Sequence, residues 1–370
     1  MAEYLNLPSK EQFDEINKNL RMIAGEGSID DFENHPGPKT LLRGTKENGF
    51  YGFVQPSEMG LINDTTEYNG NNLALEIGLS SGSSFNSDIT LMKFSRKGKV
   101  LFVPLTGYRY SVPWDEIYKV GAVYGTGNEG FLPPAGRVGL QLSIDSTDNS
   151  INSTGGDFLG DKTSAASHAD TVAAVGDILV LKGWGTEENN KEVTVASITD
   201  NKIIVNEPLF TEAGNKESRF FKQDNIVTQN TIVTIGGKQY RVRLLKGAGE
   251  DPVDSYVDSD RGAVGPDNEW NDLILPLHER AKLGNWNYTA YAKNKDGGAI
   301  EDWGIGLTDE NLRTHYNFGV GSYSWCQETR DDAETYKRVV RGGLGASDLY
   351  ASSSWNTYSS IGWLPVLESI

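Results

Sequence analysis

The sequence holds a single cysteine, Cys326, so it can form neither an intrachain disulfide nor a cysteine-based zinc cluster. Histidine is almost as scarce: His35, His168, His278 and His315 stand far apart, without metal-ligand spacing. Lys/Arg runs are missing and the formal net charge is −17, which argues against binding a nucleic-acid backbone through counterion release. No apolar run approaches the roughly 18 residues that span a bilayer, so membrane insertion is not expected. The opening MAEYLNLPSKEQF lacks the basic start and apolar core of a secretory signal. That predicts a protein made in a cytoplasm and released by lysis or assembly. There is no Gly-x-Ser-x-Gly elbow and no phosphate-cradling Gly-x-x-x-x-Gly-Lys-Ser/Thr. Asp and Glu are plentiful, yet no local signature pairs two of them across a cleft, as glycan hydrolysis requires. The expectation is a binding or structural protein with no catalytic residue, no cofactor and no metal.

What the chain does contain is glycine, 42 residues of it in 370, with a modest hydrophobic fraction. This composition and length suit two to three domains of a β-rich α+β class. Residues 1–33 read as an attachment segment: a short helix with the capping-box spacing Ser9/Gln12, then an acidic linker. Phe13, Ile16, Leu20 and Ile23 fall at coiled-coil spacing, which suits either self-association, as a trimer, or packing on the chain's own domain.

Residues 34–150 form the first part of a host domain. GFYGFVQPSE, NLALEIGLSSG and ITLMKFSRKGKVLFVPL read as strands, with a hairpin turn at Lys97-Gly98. Ser111 and Pro113 open a helix with Trp114, Ile117 and Tyr118 on one face. Residues 151–225 read as an inserted β module, small barrel or sandwich: a polar Gly/Ser tract followed by four strand-like runs from about residue 165. The host resumes over 226–370 with a hairpin at Gly236-Gly237. Trp270, Leu273, Ile274 and Leu277 then lie at helical spacing, with Pro276 shortening or kinking the helix.

The last quarter carries the candidate binding surface. Val339 and Val340 on one side, and Ile361, Trp363, Val366 and Leu367 on the other, frame a polar–aromatic stretch. Within it Tyr350, Trp355 and Tyr358 can stack on sugar rings or fill pockets. Ser347, Asp348, Ser353, Ser354 and Asn356 can hydrogen-bond to hydroxyls or to a partner backbone. Two acidic groups, Asp145/Asp148/Asn149 and Asp254/Asp258/Asp260, have oxygen-rich calcium-like composition; solvated loops are the plainer reading. The EF-hand template fails at Asp258–Glu269, because its glycine position is Ala263. Trp270-Asn271-Asp272 spells a motif seen near lectin calcium sites, but in a helical pattern it reads as ordinary helix surface beside a core Trp. Cys326 beside Trp325 reads as a small buried hydrophobe.

RVVRGG, a polar–aromatic stretch and IGWLPVLE resemble the ending of the C-type-lectin-like domains shared by formylglycine-generating enzymes and phage variable adhesins. GLTDENLRTHYNFGVGSYSWCQE and DNEWNDL are similar to further segments of those domains. The likeness covers 226–370 and extends to 88–150. The set LMKFSRKGKVLFVPLTGYRYSVPWDEIYKVGAVYG, GKQYRVRLLKGAG, PDNEWNDLILPL and RVVRGG…GWLPVLE resembles tailed-phage virion structural proteins. That resemblance implies a virion protein of tail-fibre, baseplate or adhesin type, which recognises the host through the C-terminal loop. Its partners would be other virion proteins, further copies of itself, and a host-surface glycan or protein. A capsid decoration or head-fibre protein is the alternative, and a glycan-degrading tailspike the second. The enzyme branch is excluded by its own chemistry, since formylglycine-generating enzymes hold copper with a pair of cysteines.

Overall fold

A computed structural model describes residues 34–370, apart from 60, 64–65, 68–69, 86–88, 128–136, 139–141, 155–157, 159–172, 216–217, 229, 252, 255–263 and 332–336. The protein is of the β-rich α+β class, with three large sheets. The proposed oligomerisation residues Phe13, Ile16, Leu20 and Ile23 lie outside the described residues.

One antiparallel sheet runs in the order Arg43–Gly44, Asn48–Val54, Leu91–Arg96, Lys99–Pro104, Pro365–Ser369, Lys238–Leu244, Ile232–Ile235. Its two tight hairpins form where the turn chemistry predicts. Lys97 and Gly98 both take positive φ (47° and 76°), as do Gly236 and Gly237 (56° and 76°). That double positive φ matches the right-handed twist of the flanking strands.

A second sheet has the order Leu349–Ser353, Lys337–Arg341, Tyr323–Asp331, Ile361–Trp363, Arg109–Tyr110, Ser83–Ser84. Tyr323–Asp331 pairs in parallel with Ile361–Trp363 and also with Val253–Asp254. Only Leu364 separates Ile361–Trp363 from Pro365–Ser369, so the chain steps from one sheet to the other within a residue. One continuous core fills the space between these sheets, from Phe50 and Phe94 through Trp270 to Trp363. The framing residues Val339, Val340, Ile361, Trp363, Val366 and Leu367 are all buried. Reciprocal indole bonds lock the centre: Trp114 Nε1 donates to Cys326 O at 2.9 Å, and Trp325 Nε1 donates to Val112 O at 2.8 Å.

One expectation is corrected. The NLALE run is a helix, Gly70–Glu76, not a strand. Leu73 and Ala74 are buried on its inner face with Leu79 just beyond, and the ring of Tyr108 packs so close to Gly70 that a Cβ there would lie 2.1 Å from it. The strands after residue 151 share a sheet with strands that precede it. This eight-stranded antiparallel sheet runs Glu212–Ala213, Leu142–Asp145, Ser150–Ser153, Lys202–Val205, Glu192–Ile198, Ile178–Lys182, Arg219–Lys222, Arg137–Val138. Leu142, Ile144 and Ile151 join its separate core with Leu179, Val193 and Ile203.

The helix expected at Pro113 is present as Trp114–Lys119, with Trp114, Ile117 and Tyr118 buried. The 270–277 segment is helical, as a wide turn over Trp270–Ile274 and a tight one over Leu275–Leu277 that contains Pro276 and ends at His278.

Candidate functional site

Among the described residues the outermost strand of the second sheet, Leu349–Ser353, pairs only with Lys337–Arg341, in the register Val340↔Tyr350. Strand alternation turns Tyr350 outward, 48% exposed, and Tyr358 follows at 62% in the connection to Ile361–Trp363. Trp355, Asn356 and Ser353 are half-buried. Ser347, Asp348 and Ser354 are not surface groups but are buried within the loop. Their polar atoms hold the frame: Ser347 Oγ accepts from Tyr288 N at 3.3 Å, Asp348 Oδ2 accepts from Leu344 N at 3.1 Å, and Ser354 O accepts from Asp115 N at 3.1 Å. Asn356 closes the turn, with Nδ2 donating to Ser352 Oγ at 2.7 Å.

The structure adds three tyrosines that the sequence did not point to. Tyr323 lies against Tyr350, ring centroids 6.4 Å apart, and Tyr288 stacks on Tyr291 at 6.1 Å. Tyr288, Tyr291 and Tyr323 lie close enough to Asp348 to sense its charge. Burial, then the Asp348 carboxylate, raises the phenol pKa of Tyr288, Tyr291 and Tyr323 above the ordinary value. A protonated phenol can both donate and accept a hydrogen bond. Asp348 itself is pushed up by burial, opposed by the N–H groups of Leu344 and Leu349 and by the charge of Arg341. The one local signal for the added residues is the Tyr-x-x-Tyr spacing at 288 and 291.

Beneath the tyrosines a buried cation fixes the loops. Arg341 is fully buried; its Nη1 donates to Gly247 O at 3.0 Å and its Nη2 to Asn271 Oδ1 at 2.8 Å. Asn271 Nδ2 in turn donates to the carbonyls of Tyr291 and Lys293, each at 2.8 Å. Ala346 N donates to Asp309 Oδ1 at 2.8 Å, and Trp270 Nε1 donates to Ala346 O at 2.8 Å. The tyrosine surface is thus held in place by the interior.

No family model, curated protein or solved structure matches this chain.

The other residues singled out from the sequence have structural partners. Asn271 and Asp272 are interior groups rather than helix surface, because Arg341 and Arg96 engage them; Arg96 Nη1 lies 3.0 Å from Asp272 Oδ2. Asp145 Oδ1 accepts from Thr147 N at 2.8 Å, Asp148 pairs with Lys202 at 2.5 Å, and Asn149 Oδ1 accepts from Leu209 N at 3.1 Å, so this trio builds its own turn. The Asp254 side chain, Asp258, Asp260, Ala263 and His168 lie outside the described residues. Among the described residues no three His, Cys, Asp or Glu converge as a metal site, and no helix is long and apolar enough to cross a membrane. Cys326 is buried, and burial followed by the nearby Glu328 raises its thiol pKa well above the usual value. Such a thiol is a packing group and a poor nucleophile.

Proposed function

We propose that the protein is a bacteriophage virion component of the tail-fibre, baseplate or adhesin type, which binds through its tyrosine surface. The fold reading that accompanies this is a C-type-lectin-like host domain carrying the inserted β unit. The observation that carries the binding role is the outward pair Tyr350 and Tyr358 on a loop whose polar residues are consumed in fixing it. Rigid tyrosines give large amphipathic contact area at low ordering cost, which is the composition of binding loops. The virion assignment rests on the ordered set of segments that resembles tailed-phage structural proteins. The N-terminal segment would then oligomerise the protein or anchor it to the particle, which is assembled in the host cytoplasm.

The deciding experiment is gold labelling of particles with an antibody to this chain, together with adsorption of the purified protein to host cells. Tail labelling with saturable adsorption is expected. Gold on the head would replace this reading with a head-fibre or decoration protein, whose loop faces sister subunits. Release of reducing sugar from host polysaccharide would replace it with a tailspike.

A further inference from the structure

Away from the tyrosine surface, a cleft of about 300 Å³ opens beside the first sheet. Its position follows from strand register. Arg96 pairs with Lys99, and Leu101, Glu368 and Arg241 stand in one row across three strands, so their side chains share a face. Arg243, two residues along from Arg241, joins the same face. Six cations line the cleft: Arg96, Lys97, Lys99, Arg241, Arg243 and Lys246. Three carboxylates accompany them, Asp267, Glu269 and Glu368. The lining therefore carries an excess of positive charge in a chain whose net charge is −17. Positive charge gathered into a concave wall of an acidic protein focuses the field on an incoming anion.

The carboxylates divide the cations into two groups. At the floor, Arg243 is saturated: both its Nη atoms reach Glu269 at 2.7 Å and its Nε reaches Glu368 at 2.8 Å. Arg96 is spent on Asp272 at 3.0 Å, with Glu269 at 3.6 Å. The rim keeps capacity. Lys97 and Lys246 share the single carboxylate of Asp267. Arg241, part-exposed, commits only Nη1 to Glu368, at 3.0 Å. Lys99 is exposed and forms no ion pair among the described residues.

We propose that this cleft binds a tetrahedral oxyanion, a phosphate or sulfate group free or borne on a small ester. Lys97, Lys99 and Lys246 supply rotatable point charges, and Arg241 supplies the planar donor. Three ammonium groups approaching from separate strands and loops match three terminal oxygens better than the two of a carboxylate. The volume lies at the small end of the roughly 300–1,000 Å³ common for ligand pockets, room for one compact anionic group.

The test is calorimetric titration of the full chain with inorganic phosphate, sulfate and glucose 6-phosphate at fixed ionic strength. Saturable binding is expected, weakened at least about tenfold in Lys99→Gln with Lys246→Gln, since each charge-assisted hydrogen bond contributes on the order of a tenfold factor. The control is Lys119→Gln with Lys295→Gln, two exposed lysines outside the cleft, which removes the same charge. Retained binding in the control, with unchanged melting of both variants, supports the site. Equal loss in both pairs would mean only diffuse screening and would overturn it, as would no saturable binding of any oxyanion. Tighter binding of an oligo-aspartate peptide than of the phosphates would reassign the cleft to an acidic protein segment. A preference for the ester over inorganic phosphate would identify a sugar-borne group as the source.

Discussion

Arg243 grips Glu269 with both terminal nitrogens, each at 2.7 Å, at a place where the two side chains are only 8% and 5% exposed. Burial pushes the Glu269 carboxyl up, but Arg243 and Arg96 outweigh it and hold the group below the usual carboxylate value. Removing Glu269 strips buried Arg243 of its two-pronged carboxylate and leaves Glu368 alone to offset the charge. Glu269→Ala is therefore expected to destabilise the fold by about 3–5 kcal/mol, read from the urea midpoint. A midpoint shift under about 1 kcal/mol would show that water reaches Arg243 and replaces the carboxylate.

Tyr350 and Tyr358 project from a frame held by the buried bonds of Arg341, Asn271 and Asp309. The double variant Tyr350→Ala, Tyr358→Ala should keep its stability within about 1 kcal/mol of the parent. It should lose adsorption to host cells or to the partner subunit. Unchanged adsorption would remove these residues from the binding role.

Gly343 faces the ring of Tyr323 so closely that a Cβ would lie 1.7 Å from the ring. Gly343→Ala must displace Tyr323 or the strand end, a cost of about 1–3 kcal/mol typical of overpacking. Thermal denaturation measures it, and parent-like melting would show that the ring swings aside freely.

Glu328 is buried, with both carboxyl oxygens facing Gly247 N at 3.2 and 3.0 Å. Burial, then the negative charge of Asp251, raises its pKa from 4.5 to about 8. The unfolded chain gives up this proton near the ordinary value, whereas the folded chain keeps it up to about 8. Between those limits the unfolded state binds fewer protons, so stability falls as pH rises. Glu328→Gln keeps an acceptor for Gly247 and removes the titration. Its stability relative to the parent should climb across that window and level off above it, by denaturant titration at several pH values. Parallel profiles would place the charge elsewhere.

Cys326 should resist a disulfide reagent in the native protein and react once on unfolding, because the thiol is buried and its pKa raised. Labelling under native conditions then reports opening of the core. Fast native labelling would contradict the packing described around Trp325.

Local chemistry was legible in the sequence. The hairpins at Lys97-Gly98 and Gly236-Gly237 and the stop after Pro276 depend on neighbouring residues alone. What needed distant partners was not. Leu142–Asp145 and Ser150–Ser153 are short, and their place in the eight-stranded sheet rests on distant pairing, with Glu212–Ala213 and with Lys202–Val205 respectively. In the site, Tyr350 and Tyr358 could be read from composition. The burial of Ser347, Asp348 and Ser354 could not, since Tyr288 N, Leu344 N and Asp115 supply the partners that make it tolerable. Tyr288, Tyr291 and Tyr323 come from other loops and strands, and only the fold gathers them around Asp348.

The strand Pro365–Ser369 lies between Lys99–Pro104 and Lys238–Leu244. Both neighbours leave the ribosome long before it does, and each must wait with an open edge until it arrives. The strands between 137 and 222, which among the described residues pair only with one another, can close meanwhile. The nascent chain thus carries one finished unit inside an unfinished host, and the unfilled slot is the place where a stray strand can compete.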